Sequence, residues 1–524
     1  MSNSGKIIAA LALAGIAAAA QSTEAIPQMT VRAASRVLDQ ATWGPTPLSV
    51  TQLQRMGLEN WLNWQFSLNT SDLPDQPLLD PATGKTNTNL RPVTAAFFAN
   101  TVTEPDQLRQ RVAFALSQIW VISHTSIGPA YAFPPYWRIF RDHAFGNYAD
   151  IIKAVTLNPG MGAYLNMANN VKANPTKGTA ANENYSRELM QLFTLGLTQL
   201  NPDGTPALDS NHNPVPTYDQ TVVTNLARAF TGWTYPTAAG ATAKNTNPQY
   251  FIGQMFAVES LHDTSAKPIF NGITIPPGQT AEQDLTSVIQ ALMAQPTMAP
   301  FISQQLIEHL VTSNPSPAYV QRVSKVFGDN GQRVAGDMKA VITAILTDPE
   351  ARAGDDPNAA ANPNIGHLRE PVLFMPNLLR ALNATLTDTS AIYNDTALMG
   401  QDLFNPPSVF SYFSPSYRTQ GGLLGPEFQI YTTQTAAERA DVINAALYGK
   451  LDKGTTIDLS FYETFNTSLE TLLNTISITL LHDSMSTSLY QAAYNAASAQ
   501  TSKLAQVQAA LYVVLTSNEY QVIQ

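Results

Sequence analysis

The ionisable residues best placed for acid–base chemistry lie in one short segment. Glu183, Arg187 and Glu188 fall within residues 182–189, where the spacing of apolar residues is typical of an amphipathic helix that ends before Gly196. A carboxylate beside an arginine belongs either to a structural ion-pair network or to a tuned acid–base pair. The sequence leaves both interpretations open, and the structural network is the commoner of the two.

A second predicted helix, at residues 219–231, carries Asp219 and Arg228. Its start is marked by a capping-box pattern, in which Thr217 is followed three residues later by Gln220. Turn-forming clusters between residues 200 and 218 predict a small β-hairpin insert that joins this helix to the preceding one. The two helices can therefore face each other, with the charged side chains of both at the seam between them.

A second cluster begins at the adjacent pair His262 and Asp263 and ends at Lys267. An imidazole next to a carboxylate can supply a metal ligand with a second ligand beside it, or a general base with an orienting partner. Lys267 could then neutralise an anionic intermediate. The alternative is structural, because a His-Asp dipeptide commonly stabilises a loop or begins a turn, and the same dipeptide recurs at His482.

Motifs for common cofactors are missing. The sequence has no H-E-x-x-H motif, no cysteine and no two histidines one helical turn apart, which argues against a zinc site. Asp203 and residues 209–213 offer oxygen ligands for calcium, but Pro214 and Gln220 stand where an EF-hand needs glycine and glutamate. Calcium or another divalent metal is thus compatible with the sequence, and no cofactor is predicted. Serine esterase, P-loop and dinucleotide-binding fingerprints are also lacking.

Six segments together resemble a known family. They are residues 36–46 (RVLDQATWGPT), 108–116 (LRQRVAFAL), 182–196 (NENYSRELMQLFTLG) and 229–233 (AFTGW), His262-Asp263 with Lys267, and residues 405–409 (NPPSV). The set is similar to the bacterial exported family catalogued as domain of unknown function 1800, over nearly the whole chain after residue 25. The resemblance implies an exported, mostly helical single module and assigns no particular activity.

Composition and charge narrow the class of protein. The chain has 524 residues, of which 44% are hydrophobic, and this share excludes a disordered chain. With 29 Lys and Arg against 39 Asp and Glu, the net charge is −10. This balance gives no basic surface for nucleic acid or for anionic lipid, so we expect neither as a partner.

The first 25 residues predict a signal peptide. Lys6 precedes an apolar run at residues 7–20, and small residues follow up to Ala25. The run is shorter than the roughly 20 residues that span a bilayer, and no later stretch reaches 18 consecutive apolar residues. We therefore expect an exported protein, periplasmic or extracellular, with no membrane span in the mature chain.

Helical periodicity predicts a mainly α fold, a large multi-helix bundle in which the hairpin insert is the best strand signal. We expect residues 26–524 to form a single large helical module, with possible lobes at 26–235 and 250–524. The main predicted helices cover residues 31–41, 51–66, 105–123, 144–156, 184–195, 219–231, 281–294, 299–312, 318–327, 336–347, 371–382, 436–447, 468–481, 486–497 and 503–516. Stretches rich in asparagine and proline at 70–89, 355–366 and 401–429 predict long surface loops.

Two functions of different classes fit these features. The first is a scaffold or binding protein for an extracellular polymer or glycan, since the loops at 131–137 and 404–418 are rich in aromatic residues. The second is a hydrolase or lyase that acts on such a polymer with a carboxylate and histidine site. Its predicted site residues are Glu183, Arg187, Glu188, Asp219, His262, Asp263 and Lys267.

Overall fold

The computed structural model describes residues 29–270, 272–358, 365–389, 392–449 and 451–524, so the predicted signal peptide at residues 1–25 lies outside the described residues. The chain is 52% helical, and its sheets are small two-strand pairs, which confirms the mainly α prediction. Within the described ranges no helix has both the length and the apolar character that a bilayer crossing requires.

The α-helices are given in chain order. They are α1 (Val31–Ala41), α2 (Pro47–Met56), α3 (Leu58–Ser67), α4 (Arg91–Thr103), α5 (Gln107–Ile119), α6 (His124–Ile127), α7 (Phe133–His143), α8 (Tyr148–Thr156), α9 (Pro159–Tyr164), α10 (Asn184–Gln191), α11 (Gln220–Ala229), α12 (Ala281–Met293), α13 (Met298–Leu310), α14 (Pro317–Gly328), α15 (Met338–Thr347), α16 (Pro349–Arg352), α17 (Pro371–Ala381), α18 (Ile392–Leu398), α19 (Thr433–Leu447), α20 (Ser460–Phe465), α21 (Leu469–Leu480), α22 (Thr487–Ser498), α23 (Lys503–Leu515) and α24 (Asn518–Gln521).

Eight short strands form antiparallel pairs. The pairs are β1 (Trp233–Thr234) with β2 (Phe256–Ala257), β3 (Lys267–Pro268) with β4 (Thr274–Ile275), β5 (His367–Leu368) with β8 (Val522–Ile523), and β6 (Thr385–Leu386) with β7 (Thr455–Thr456). The predicted hairpin insert is held only by isolated bridges such as Thr198 with Pro216 and Leu208 with Pro214. Prolines at these positions have no N–H group for a ladder, which explains why the bridges do not extend into strands.

Two differences from the predicted helices have clear causes. The predicted helix at 51–66 is divided at Gly57, whose φ of +72° ends α2 and begins α3. Helix α7 was not predicted, because Pro134 and Pro135 follow its first residue. Proline is tolerated in the first turn, where the backbone N–H groups have no intrahelical partner.

Buried hydrophobic side chains from Ala34 to Ile523 form one connected cluster. The division into one module or two lobes stays a prediction.

A buried ion pair crosses this core, since Asp39 of α1 is only 2% exposed and lies 2.5 Å from Arg369, just before α17. Asn377 donates a hydrogen bond to the same carboxylate, and His482 lies 3.4 Å away. Burial alone would raise the pKa of Asp39, but Arg369 and His482 lower it to about 2.

Replacement of Asp39 tests how much the Asp39–Arg369 pair contributes to holding α1 against α17. We expect Asp39→Asn to lower the free energy of unfolding by about 3–5 kcal/mol at pH 7, since it leaves the Arg369 guanidinium buried without a counter-charge. Urea denaturation measures the change. The control is Asp75→Ala, which removes a 78% exposed partner of Arg138 and should cost at most about 1 kcal/mol. Equal losses in the two variants would contradict this account.

Candidate functional site

The residues predicted from the seam between α10 and α11 have local partners. Glu183 lies 3.0 Å from Arg187 and accepts hydrogen bonds from the side chains of Gln220 and Thr224. Both charged side chains are partly exposed. Asp219 caps α11 by accepting a hydrogen bond from the backbone N–H of Val222. These contacts hold the two helices together at the protein surface.

Glu188 lies apart from that network. Its Oε2 atom is buried and has no hydrogen-bond partner. Burial raises the pKa of Glu188, although the Arg187 charge acts in the opposite direction. The Glu188 charge in turn contributes to raised pKa values at Tyr164 and Tyr218, which places these phenols near the carboxylate.

The predicted cluster at 262–267 separates into two arrangements, one partly and one fully buried. Asp263 lies 2.8 Å from Arg228, and this contact holds the pKa of Asp263 well below its usual range despite partial burial. His262 and Lys267 both contact Asp284 of α12, a residue that the sequence analysis did not select. The side chains of His262, Lys267 and Asp284 are fully buried.

The predicted site residues therefore occupy separate positions along α11. Glu183 contacts Gln220 at the first residue of the helix, whereas Asp263 contacts Arg228 near its last. Among the described residues, no hydrogen bond or ion pair joins the Glu183 group to the His262 group. The residues that the structure describes also contain no group of three or more His, Asp or Glu side chains that could hold a metal ion. Asp203 and Asp209, considered for calcium, accept hydrogen bonds from the backbone of their own turns.

A different set of ionisable side chains lines a cleft of about 80 Å³ that opens to solvent. One wall comes from the end of α5 and a second from α13, and the loop before the turn at Pro426–Ile430 covers the third side. The lining residues are Gln118, Ile119, Leu192, Gln305, Glu308, His309, Ser313, Val409, Phe410, Ser411, Phe413, Pro415, Pro426 and Glu427. We call this region the α5–α13 cleft.

Burial makes two groups of the α5–α13 cleft neutral at neutral pH. It raises the pKa of Glu308 to about 8, with a further contribution from the Glu427 charge, while Gln304 donates a hydrogen bond to the Glu308 carboxyl. Burial also lowers the pKa of His309 to about 3, helped by the Arg111 charge. Glu308 is thus mostly protonated at neutral pH, and its carboxyl group can donate a hydrogen bond or a proton. The His309 ring is unprotonated, and one of its nitrogens has a lone pair that can accept a hydrogen bond.

Below these residues lies a buried polar layer. Glu370 accepts hydrogen bonds from Gln118 (2.9 Å) and from Gln401, and its pKa is raised by burial and by the Glu427 charge. Arg111 is fully buried and donates a hydrogen bond to the His309 carbonyl oxygen. This layer fixes α5 against α13 and places positive charge behind the carboxyl groups.

Several buried polar atoms of the cleft have no partner. Gln118 Oε1, Gln305 Nε2 and Glu427 Oε2 form no hydrogen bond, and neither ring nitrogen of His367 does, although Nδ1 lies 3.4 Å from Glu427. A buried polar atom without a partner costs about 1–3 kcal/mol. Three such atoms, contributed by different segments around one cleft, indicate a place where a ligand or water completes the hydrogen bonds.

The outer wall of the cleft carries backbone strain and an exposed ring. Ser411 has a φ of +66°, in the left-handed region that residues other than glycine seldom adopt. Phe410, just before Ser411, is 45% exposed, while Phe413 is buried. The strained backbone thus holds one aromatic ring out at the cleft mouth.

The sequence analysis missed this site. The signal was present in α13, where Glu308 and His309 interrupt the apolar run of Leu306, Ile307 and Leu310. It was weak because Gln304 is the one nearby partner given above, whereas Arg111 is 198 residues from His309. Periodicity reveals which face of a helix is polar but does not reveal which distant helix meets it.

A family model matches residues 36–522 and is described as protein of unknown function (DUF1800). The chain belongs to this DUF1800 family. No curated protein and no solved structure matches it. One segment that carries the family resemblance lines the α5–α13 cleft, since Val409 lies in 405–409, and a second supports it, since Arg111 of 108–116 donates a hydrogen bond to the His309 carbonyl oxygen. The DUF1800 motifs thus contribute to the cleft as well as to the hydrophobic core.

The raised pKa of Glu308 gives a prediction on stability. Between its ordinary pKa of 4.5 and about 8, the folded protein keeps a proton that the unfolded chain loses, so this group makes the fold less stable as pH rises. We expect Glu308→Gln to have a higher free energy of unfolding than the wild type at pH 7.5, with the difference shrinking towards pH 4.5. Urea denaturation at both pH values measures it.

The control is Glu59→Gln, which removes an exposed carboxylate of α3 and should change the free energy of unfolding by less than about 0.5 kcal/mol. A Glu308→Gln variant less stable than the wild type at pH 7.5 would show that Glu308 is ionised in the folded protein.

Proposed function

We propose that this DUF1800 protein is an exported binding protein whose α5–α13 cleft holds a neutral, hydroxyl-rich segment of an extracellular polymer, with a glycan as the ligand class. The observation that carries the proposal is the set of unpartnered buried polar atoms on Gln118, Gln305 and Glu427 around one solvent-open cleft. A hydroxyl group both donates and accepts hydrogen bonds, so the same kind of ligand can satisfy the amide donor and both acceptors.

The charges of the cleft favour an uncharged ligand. Glu308 and His309 are neutral at neutral pH for the reason given above, and the remaining carboxylates, Glu370 and Glu427, would repel an anion. The positive charge of Arg111 lies behind these groups, fully buried, where it offsets them without facing solvent. A sugar needs no counter-charge and fits this balance.

The aromatic ring at the mouth supports the same class of ligand. Phe410 is partly exposed although its neighbours pack inward, and Pro415 lies on the same wall. The C–H faces of a pyranose ring are apolar and pack on such a ring while the hydroxyl groups point to polar neighbours. A sugar requires an apolar surface, here the Phe410 ring, next to hydrogen-bond donors and acceptors.

A second candidate is the hydrolase or lyase, favoured by one observation, the proton that Glu308 keeps at neutral pH. A protonated carboxyl group near a second carboxylate, here Glu427, can act as a general acid on a leaving oxygen. The contacts described above give Glu183, Asp219 and Asp263 partners of their own, so we place the acid of this candidate at Glu308.

The proposal is tested by titration calorimetry with neutral hexasaccharides of glucose, xylose and N-acetylglucosamine, and with a hexagalacturonate as the charged comparison. We expect a neutral hexasaccharide to bind and the charged one not to bind. Phe410→Ala should weaken binding up to about tenfold, since a packed ring is worth about 0.5–1.5 kcal/mol. Binding should also weaken as pH rises through about 8, because Glu308 then loses the proton that it donates.

The matched control is Tyr448→Ala, which removes a 51% exposed aromatic ring outside the cleft and should leave affinity unchanged. Absence of binding to all three neutral sugars, or equal losses in the two aromatic variants, would refute the proposal. Release of new reducing ends by the wild type, but not by Glu308→Gln, would instead establish the hydrolase.

A further inference from the structure

The fully buried group of His262, Lys267 and Asp284 has no role in the α5–α13 cleft. Lys267 lies in strand β3, and Asp284 lies in the first turn of α12. The Lys267 Nζ atom is 2.7 Å from Asp284 Oδ2, and His262 Nε2 is 3.2 Å from the same oxygen. None of the three side chains is exposed to solvent.

The close contact between Lys267 and Asp284 does not have the angles of a hydrogen bond. Both carboxylate oxygens of Asp284 are without a hydrogen-bond partner, although Nζ is 2.7 Å from one of them. The hydrogen bond that Nζ does donate goes to the Ser265 carbonyl oxygen, at 2.9 Å. A buried carboxylate that faces an ammonium group would normally accept directed hydrogen bonds from it.

The hydrogen bonds of His262 fix where protons can lie. Its Nδ1 atom is 2.8 Å from the Thr231 carbonyl oxygen, which only accepts, so Nδ1 carries a hydrogen. In the neutral ring Nε2 then has a lone pair, directed at Asp284. An ionised Asp284 would place a second lone pair opposite it. Transfer of one proton from the Lys267 ammonium group to this carboxylate would remove the conflict and turn a buried ion pair into two uncharged groups.

An amine in contact with a carboxyl group, with an imidazole nitrogen 3.2 Å from the same carboxyl oxygen, is an arrangement from which an amide can form. We propose that Lys267 and Asp284 are joined by an intramolecular isopeptide bond, with His262 as the proton relay. The Lys267 Nζ atom attacks Asp284 Cγ, and the new N–C bond forms as His262 Nε2 accepts a proton from the amine. His262 passes this proton to the departing hydroxyl oxygen, the C–O bond breaks, and one water molecule leaves.

No oxidant or cofactor is needed, because the step is a condensation without a change of oxidation state. Its driving force is proximity, since two groups held in contact react as if at very high concentration. Burial then protects the amide from hydrolysis because water is excluded from the site. The bond would tie β3 to α12, and it provides a covalent crosslink in a chain that has no cysteine.

Mass spectrometry of the denatured full-length protein tests the proposal. We expect the wild type to be lighter than its sequence by one water molecule, and Lys267→Arg and Asp284→Ala to show their full sequence masses. Asp263→Asn is the matched control, because it changes the neighbouring carboxylate and should retain the loss of water. In His262→Phe, crosslinked protein should form more slowly or not at all.

Peptide mapping locates the bond. Cleavage after glutamate places Lys267 in peptide 260–282 and Asp284 in peptide 283–308. The proposal requires these two peptides to be recovered as one linked species from the wild type. Recovery of the two as separate, unmodified peptides would overturn it, as would a loss of water found within a single peptide. This result is decisive even if the variants do not fold, because it needs only the wild-type protein.

Discussion

A charged side chain that is buried away from water needs an opposite charge or hydrogen bonds, and this constraint determines how the buried charges of the protein are arranged. Only 13% of the residues are charged, yet several of them lie in the interior. Asp39 shows the complete case, because an arginine, an amide and an imidazole surround one carboxylate and connect α1 with α17 and with the residue that follows the end of α21 by two positions. Where partners are complete, as here, the charge holds helices in place and is not available for chemistry.

Buried polar atoms without a partner also occur, at several places in the described residues. Gln118, Gln305 and Glu427 place three of them around the α5–α13 cleft, which is why we connect this cleft with binding. The group around Asp284 is fully buried and lines no described cleft, and we connect it with a reaction between its own members. The seam between α10 and α11 belongs with Asp39, because Glu183 is satisfied by its neighbours.

Helices can be predicted from the sequence, whereas the contacts between predicted site residues cannot, for one physical reason. Helical periodicity is a local property, so α1, α12 and α23 begin where apolar spacing and capping residues indicate. Site geometry depends on contacts between segments far apart in the chain. The dipeptide His262-Asp263 illustrates this, because His262 is extended and successive side chains of an extended segment point to opposite sides. One side chain meets Asp284 of α12 while the other meets Arg228 of α11.

Burial in the α5–α13 cleft keeps the Glu308 carboxyl group protonated and able to donate a hydrogen bond at neutral pH. Carbon-13 NMR of the side-chain carboxyl groups, with Glu308 assigned by comparison with the Glu308→Gln spectrum, follows this group directly as pH is raised. We expect its signal to shift with a midpoint near pH 8. A midpoint near 4.5, the ordinary value for a glutamate, would show that Glu308 is ionised at neutral pH and cannot donate a hydrogen bond.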